Sequence, residues 1–188
     1  MIENVTYNDT WPDVKAAART TVSMDGAGRY PTDSWRKQIL LAEHSPIRQI
    51  RFGWVWKNLK SWVSVHMVRH HIGIDHYVST QRSDRTGEDR DSKPQDSPVT
   101  HRCVANAQAL INISRKRLCM QASHETRSAW HEVKAVVEQI DPVLASVMVP
   151  ECVYRGFCPE FEGKGCGFDK TTEYRAMLTA YRKKVLEP

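Results

Sequence analysis

The chain has 188 residues, a net charge of +5 and 40% hydrophobic residues. This length suits one domain, or one domain with an appendage, and the composition excludes wholesale disorder and a disulfide-dense mini-protein. No apolar run reaches the ~18–20 residues that a membrane helix needs, and the first residues, MIENVTYNDTWPDV, contain neither the basic nor the apolar stretch of a secretion signal. We therefore expect neither a membrane segment nor export.

The first half of the chain alternates between helical and extended patterns. Residues 12–24, which begin with a proline, and residues 32–43, which begin with residues able to cap a helix, each predict a helix. Residues 50–57 alternate apolar and polar side chains, which predicts a strand with one apolar face. Helical spacing returns in residues 61–70. The polar stretch that follows, residues 73–97, predicts a loop or a partly ordered lid.

The second half of the chain is mainly helical in its pattern. Residues 104–120 and 124–140 carry apolar side chains at helical spacing and predict two long helices. A short helical piece, residues 143–148, leads to a segment rich in Pro, Gly and Cys, residues 150–167, and the last predicted helix covers residues 171–186. The whole pattern predicts an α+β fold in which helices dominate around a small sheet.

The densest group of chemically active side chains follows the predicted strand. His66 and His70 are four residues apart and would share one face of a helix, as metal ligands do. No third ligand has a suitable spacing and the HExxH signature is absent, so we predict no metal here. Arginine and histidine donors instead favour phosphate groups, as in a nucleotide, although GxGxxG and Walker loops are also absent. The alternative is a solvated basic helix end. The group consists of His66, Arg69, His70, His71, His76, Arg82 and Arg85.

Two sequence blocks resemble the flavin-dependent thymidylate synthases, a family unrelated to the thymidylate synthases that use a cysteine nucleophile. The first block is HSPIRQIRFGWVWKNLKSWVSVHMVRHH, residues 44–71, and Ser83-Asp84-Arg85 follows it. It is similar to the family's His, hydroxyl residue and Pro before a strand, then a helix that ends in Arg-His-Arg, and then Ser-x-Arg. The second block is NAQALINISRKR, residues 106–117, which resembles the family's Asn-Ala-Arg-x-Leu element and continues into Glu125 and Arg127.

The sequence departs from the family pattern at four positions and in length. His71 stands in the third position of Arg-His-Arg, and His66 stands where the family has Gln. Arg48 replaces the usual Glu after the proline, and Gln108 replaces the usual Arg of Asn-Ala-Arg. Most of the connecting region with a Glu-x-Ala-Arg element is missing. The chain therefore resembles a compact, divergent member of the family, of the kind expected in a phage.

The resemblance implies a fold, cofactors and a reaction. The fold would be the family's α/β arrangement in one domain, residues 1–188, on a small and mostly antiparallel sheet, with a cysteine-containing extension from about residue 150. In the family, NADPH reduces FAD, methylenetetrahydrofolate donates a one-carbon unit to C5 of dUMP, and a flavin hydride completes the methyl group of dTMP. A homotetramer shares the flavin and nucleotide sites between chains. A nucleic-acid partner is not expected.

The resemblance also assigns residues to the two ligands. Arg117, or Arg69, would lie near the uracil carbonyls and stabilise negative charge on the ring. Ser83 would bond the phosphate or the base, or would be an ordinary turn serine. Arg117 and Ser83 are thus the candidate catalytic residues. The implied flavin contacts are Arg69, His70, His71, Asn106 and Asn112. The implied substrate contacts are His66, Ser83, Arg85 and Arg117.

Two other functions remain open at this point. Hydroxymethylation of dUMP or dCMP would result if water captured the methylene-bearing ring before a hydride did. A relative that kept the fold and lost catalysis would hold a nucleotide or nucleic acid through its basic loop, and its binding to nucleic acid would depend steeply on salt.

The chain has five cysteines. An odd number of cysteines without an export signal favours reduced thiols in the cytoplasm, here of a bacterial or phage-infected cell. Cys152, Cys158 and Cys166 are separated by five and seven residues, which is not a CxxC spacing. They would join a histidine around zinc or remain buried or free thiols, and the spacing favours thiols.

Overall fold

The computed structural model describes residues 2–26 and 28–183, which form a four-stranded sheet with helices packed around it. The strands are β1 (Ile2–Asn8), β2 (Arg51–Lys60), β3 (Ile74–Val78) and β4 (Pro98–Asn106). Across the sheet their order is β1-β2-β4-β3, and every neighbouring pair is antiparallel. This arrangement confirms the predicted α+β fold with helices around a small antiparallel sheet.

The helices begin and end mostly near the bounds that the sequence predicts. Among the described residues, none of them is both long and apolar enough to cross a membrane. The helices are α1 (Trp11–Thr20), α2 (Asp33–Leu41), α3 (Ser61–Val68), α4 (Ser83–Thr86), α5 (Ala107–Arg117), α6 (His124–Ile140), α7 (Pro142–Ala145), α8 (Glu151–Arg155) and α9 (Thr172–Arg182), with 3₁₀ turns at Ser45–Gln49 and Phe168–Lys170.

The core forms where β2 meets α6. The side chains of Phe52, Trp54 and Trp56 are buried as their alternation predicts, but Val55 between them is buried too, so β2 is covered on both faces. The indole of Trp54 meets those of Trp56 and Trp130 edge-on, with ring centroids 5.4 and 6.0 Å apart. This aromatic packing joins the central strand to the longest helix.

Several predicted helices are confirmed with small changes at their ends. The Thr32 side chain caps α2 by accepting a hydrogen bond from the backbone N–H of Trp35. Helix α6 has the predicted bounds, whereas α1 ends at Thr20 rather than at Met24. Helix α9 ends at Arg182, and the predicted helical residues 184–186 lie outside the described residues.

Two predictions for the middle of the chain are wrong, and the sequence analysis predicts only β2 of the four strands. The polar stretch 73–97 is not all loop, because it contains β3 and the short helix α4. The helix predicted from Val104 begins only at Ala107, since residues 104–106 belong to β4. Strand β1, for which the sequence analysis made no prediction, pairs with β2 at the edge of the sheet.

The cysteine-rich segment, residues 150–167, packs against α5 through charged and aromatic contacts. The guanidinium of Arg115 lies 3.5 Å from the ring centroid of Tyr154 in α8. The neighbouring Lys116 forms an ion pair with Glu151 at 3.1 Å, and Arg155 bonds the same carboxylate at 2.6 Å. These contacts place the cysteines of the segment next to the C-terminal end of α5.

Candidate functional site

The C-terminal ends of α3 and α5 are joined through Arg117. This arginine lies in the last turn of α5, where its Nε donates to Nε2 of His70 at 2.8 Å and its Nη2 donates to the backbone oxygen of His66 at 2.6 Å. Because a guanidinium only donates, Nε2 of His70 must hold a lone pair. Burial and then the charge of Arg117 lower the pKa of His70 to about 4. The ring is therefore a neutral hydrogen-bond acceptor at neutral pH.

The ring of His66 contacts α6 rather than Arg117. Its Nδ1 lies 3.0 Å from Oγ1 of Thr126, which accepts a hydrogen bond from Oγ of Ser123 at 2.8 Å. Burial and then the charge of Arg117 lower the pKa of His66. The two histidine rings thus point to different partners, although both residues are bound by the same arginine.

Arg69 and His71 lie on the surface just beyond α3. Arg69 is the C-terminal cap residue of α3, and Nδ1 of His71 lies 3.2 Å from its backbone oxygen. Burial and then the charge of Arg69 lower the pKa of Arg117. Within residues 2–26 and 28–183, no carboxylate forms an ion pair with either arginine. Two neighbouring cations without a carboxylate partner favour an anionic ligand.

A polar cleft of about 550 Å³, which we call the α5 cleft, lies beside the N-terminal half of α5. Asn106 caps this helix, because its Oδ1 accepts a hydrogen bond from the backbone N–H of Ala109 at 2.9 Å. Its own backbone N–H donates to the oxygen of Gly73 at 2.8 Å. The turn that carries Arg69 and His70 therefore borders the cleft. The lining residues are Glu43, Arg48, Ile72, Gly73, Asn106, Gln108 and Asn112.

Glu43 organises one wall of the α5 cleft. It accepts a hydrogen bond from Nε2 of Gln108 at 2.6 Å and forms an ion pair with Arg115. Oδ1 of Asn112 accepts hydrogen bonds from the same two side chains, at 3.3 and 3.2 Å. The φ angle of Glu43 is 49°, a conformation that is uncommon without glycine and concentrates at functional sites. The sequence analysis missed this residue, which stands immediately before the first block and belongs to no motif.

Gly73 is the point of closest approach between the turn after α3 and the cap of α5. Its φ is +74°, and a Cβ added there would lie 2.7 Å from Nδ2 of Asn106. We expect Gly73→Ala to destabilise the protein by about 2 kcal/mol, since the left-handed conformation costs about 1 kcal/mol and a displaced cap costs about 1 kcal/mol more. Denaturant unfolding measures this loss.

Gly87→Ala is the matched control for Gly73→Ala. Gly87 has nearly the same φ, +73°, but an added Cβ meets no atom within 4 Å. We expect it to cost only the conformational part, about 1 kcal/mol. Equal losses in the two variants would mean that the contact with Asn106 contributes nothing.

Ser83 and Arg85 form no hydrogen bond with these groups in the described part of the chain. Both belong to α4, where Ser83 Oγ accepts a hydrogen bond from the backbone N–H of Arg90 at 3.0 Å. The Arg85 side chain is exposed and lies 3.9 Å from the carboxylate of Asp84. In the described part of the chain, neither residue lines the α5 cleft or bonds Arg117. The residues that the structure does bring together are Arg69, His70, His71 and Arg117, with Asn106 and Asn112 in the adjoining cleft.

A second cavity, of about 250 Å³, lies between the C-terminal end of α5 and the cysteine-rich segment. Arg117 forms part of its wall, which also contains Cys119, Cys152, Cys158 and Cys166. All five cysteines of the chain are free thiols. Burial raises the pKa of Cys152 to about 11 and also raises that of Cys119. These two thiols are therefore protonated at neutral pH and are poor nucleophiles.

Comparison with solved structures reveals proteins with the same arrangement of strands and helices. One is a UMP/dUMP methylase, PolB, from Streptomyces cacaoi, solved with 5-Br dUMP, with a TM-score of 0.61 and 13% sequence identity over 84% of this chain and 96% of that chain. Another is the flavin-dependent thymidylate synthase ThyX from Helicobacter pylori, complexed with FAD and dUMP. Its TM-score is 0.59, with 10% identity over 79% of this chain and 98% of that chain.

Comparison of the sequence alone does not detect this similarity. No protein-family model and no curated protein matches the chain. The likeness in three dimensions nevertheless covers nearly the whole of both solved structures. The chain therefore has the fold of the flavin-dependent thymidylate synthases.

Proposed function

We propose that the protein is a flavin-dependent enzyme that transfers a one-carbon unit from methylenetetrahydrofolate to C5 of dUMP, forming dTMP with NADPH as the electron donor. The observation that carries this proposal is that the charges of Arg69, at the end of α3, and Arg117, at the end of α5, interact without a carboxylate partner among the described residues. The turn that follows Arg69 borders the α5 cleft. The two solved relatives contain dUMP or its bromo derivative, and one contains FAD.

The residues around the turn after α3 have the chemistry that a flavin dinucleotide requires. Arg69 is an exposed donor for its diphosphate, and the side-chain amides of Asn106 and Asn112 offer hydrogen bonds in the adjoining cleft. His71, also exposed, would donate to the diphosphate through Nε2 when its ring is protonated, because its Nδ1 faces the backbone oxygen of Arg69. The absence of a side chain at Gly73 keeps the turn close to Asn106. FAD, when bound, supplies the hydride that completes the methyl group.

Arg117 is the residue best suited to stabilise charge on the pyrimidine. A guanidinium has five N–H donors, and the bonds to His70 and to the backbone of His66 use two of them. These two bonds fix the orientation of the guanidinium plane, so its remaining N–H donors are oriented before the substrate binds. A fixed cation near the uracil carbonyls would stabilise negative charge that develops on the ring when C5 is made nucleophilic, before it bonds the one-carbon unit.

The proposal predicts a change of colour that is simple to measure. Protein reconstituted with FAD should be yellow after removal of free flavin, and its visible spectrum should shift when dUMP is added. The mass of the product then separates methylation from hydroxymethylation of dUMP or dCMP. A protein that retains no flavin and binds DNA with a steep salt dependence would instead be an inactive relative.

The role proposed for Ser83 and Arg85 requires a second chain. Within the described part of one chain neither residue bonds Arg117, and we propose that in a homotetramer they complete the nucleotide site of a neighbouring chain. Arg85→Ala and Arg117→Ala proteins should each be nearly inactive, whereas tetramers assembled from a mixture of both chains should regain activity, because some sites then contain both arginines.

Mixed tetramers that remain inactive would contradict a nucleotide site shared between chains. Assembly from equal amounts of the two chains gives mixed tetramers, whose size light scattering measures. If mixed tetramers form but show no more activity than the separate variants, Arg85 and Arg117 serve the same site of one chain or Arg85 serves none. The double variant Arg85→Ala/Arg117→Ala, taken through the same dissociation and reassembly, is the control. It should stay inactive, because none of its sites contains either arginine.

A further inference from the structure

We propose that His76, His101 and Cys103 bind one zinc ion per chain, at a site on the sheet outside the α5 cleft. His101 and Cys103 are two residues apart on β4, and His76 of β3 pairs directly with Cys103 across the two strands. Because side chains alternate between the faces of a strand, this register places all three on one face. Imidazole nitrogen and cysteine sulfur are ligands that zinc prefers.

The three ligand atoms already lie near the spacing that zinc requires. Nδ1 of His76 is 2.9 Å from Nε2 of His101 and 3.3 Å from Sγ of Cys103, and all three atoms lie within 4.8 Å of one another. In a tetrahedral site with Zn–N of about 2.0–2.1 Å and Zn–S of about 2.3 Å, ligand atoms are about 3.3–3.6 Å apart. For the two pairs that include His76, an ion therefore requires shifts of less than about half an ångström.

The hydrogen bonds of His76 leave the lone pair of its ring facing two other polar atoms. Its Nε2 lies 2.6 Å from the backbone oxygen of His70, which can only accept, so Nε2 carries the hydrogen and Nδ1 holds the lone pair of the neutral ring. That single lone pair faces both Nε2 of His101 and Sγ of Cys103. It cannot accept a full hydrogen bond from both. A metal ion at this point would be bound by all three atoms.

The outer contacts are those of a metal site. Ligating histidines commonly donate their second nitrogen to a carbonyl or another polar oxygen, which fixes the ring. His76 makes such a bond to the oxygen of His70, and Nδ1 of His101 lies 3.0 Å from Oγ of Ser64 in α3. His101 and Cys103 are completely buried, and His76 is half-buried. Zinc binding would release the thiol proton of Cys103 to solvent.

A zinc ion here would hold the turn that carries the candidate flavin residues. His76 binds the backbone of His70, and the ring of His70 accepts the hydrogen bond from Arg117. The ion would fix β3, β4 and this turn relative to one another. The inference does not depend on the proposed reaction, because the site consists of residues that no step of that reaction uses.

Metal titration of the full-length protein tests the inference. We expect protein stripped with a chelator to bind one Co²⁺ per chain, with a sulfur-to-cobalt charge-transfer band, and to lose that band when Zn²⁺ is added. X-ray absorption of the zinc-loaded protein should show one sulfur and two imidazole nitrogens. A donor set with two or more sulfurs, or no binding of either ion, would overturn the proposal without any variant.

Variants then locate the ion. Cys103→Ser should lose the charge-transfer band, and the half-buried His76→Gln, which threatens the fold less, should bind Zn²⁺ at least tenfold more weakly and lose the rise in Tm that Zn²⁺ gives the parent protein. The double variant Cys158→Ser/Cys166→Ser is the control, since it removes two thiols from the separate cysteine cavity. Loss of the band in this control, or an unchanged Zn²⁺ affinity in His76→Gln, would show that the ion lies elsewhere.

Discussion

Arg117→Ala is expected to weaken dUMP binding by about 2–3 kcal/mol, which is roughly a 30- to 150-fold rise in Kd. The change removes the charge-assisted bond proposed for the nucleotide and also leaves Nε2 of His70 and the oxygen of His66 without their donor. Isothermal titration with dUMP measures the effect. Arg69→Ala, by contrast, should mainly weaken the retention of FAD.

Lys116→Ala is the matched control for Arg117→Ala. Lys116 is the preceding residue of α5, it carries the same charge, and its exposed side chain pairs with Glu151 rather than with α3. We expect its effect on dUMP binding to stay within about 0.5 kcal/mol, as for an exposed ion pair. If both variants weaken dUMP binding equally, the contribution of Arg117 is only its share of the general positive charge.

Asp141→Ala is expected to lower the free energy of unfolding by about 3–5 kcal/mol. Asp141 is 1% exposed, and its Oδ2 accepts hydrogen bonds from Nε1 of Trp11 at 2.7 Å and from the hydroxyl of Tyr7 at 3.3 Å. Its Oδ1 accepts from the backbone N–H of Leu144 at 3.0 Å and lies 3.8 Å from the guanidinium of Arg36. Alanine would leave the buried donors of Trp11 and Leu144 and the half-buried hydroxyl of Tyr7 without this acceptor, whereas Arg36 would keep Asp33.

The other carboxylate near Arg36 gives the control for Asp141→Ala. Asp33 contacts the same guanidinium at 2.9 Å but is 64% exposed. Asp33→Ala should therefore cost less than about 1 kcal/mol. Guanidinium unfolding curves of the two variants compare them directly, and a loss below 1 kcal/mol for Asp141→Ala would contradict the role assigned to its buried hydrogen bonds.

The elements with large apolar residues at regular spacing could be predicted from the sequence, and the strands without such spacing could not. Strand β2 and helix α6 carry large apolar residues at clear spacing, so their positions could be predicted. Strand β4 also alternates, but its buried face is Val99, His101, Cys103 and Ala105, and a histidine and a cysteine do not mark an apolar face. Strand β1 is mostly exposed and contains an irregularity in its pairing, so it has little periodic signal.

The candidate site could be predicted only where one motif spans it. The helical spacing of residues 61–70 placed Arg69 and His70 at or just past a helix end, and the structure ends this helix at Val68 with Arg69 as its cap. The bond from Arg117 to His70 joins residues 47 positions apart, and no spacing rule connects two helix ends. The pairing of His76 with Cys103 likewise depends on the register between β3 and β4, which the sequence did not indicate because neither strand was predicted.

The two bonds of Arg117 constrain the evolution of α3 unequally. The bond to residue 66 uses a main-chain oxygen, which any amino acid provides, whereas the bond to residue 70 uses an imidazole nitrogen. A substitution at position 66 keeps the hydrogen bond from Arg117 to the main-chain oxygen. At position 70, only a side chain with an acceptor atom where Nε2 of His70 now lies keeps the second hydrogen bond. In homologous sequences that keep an arginine at position 117, we expect variety at position 66 and near invariance at position 70.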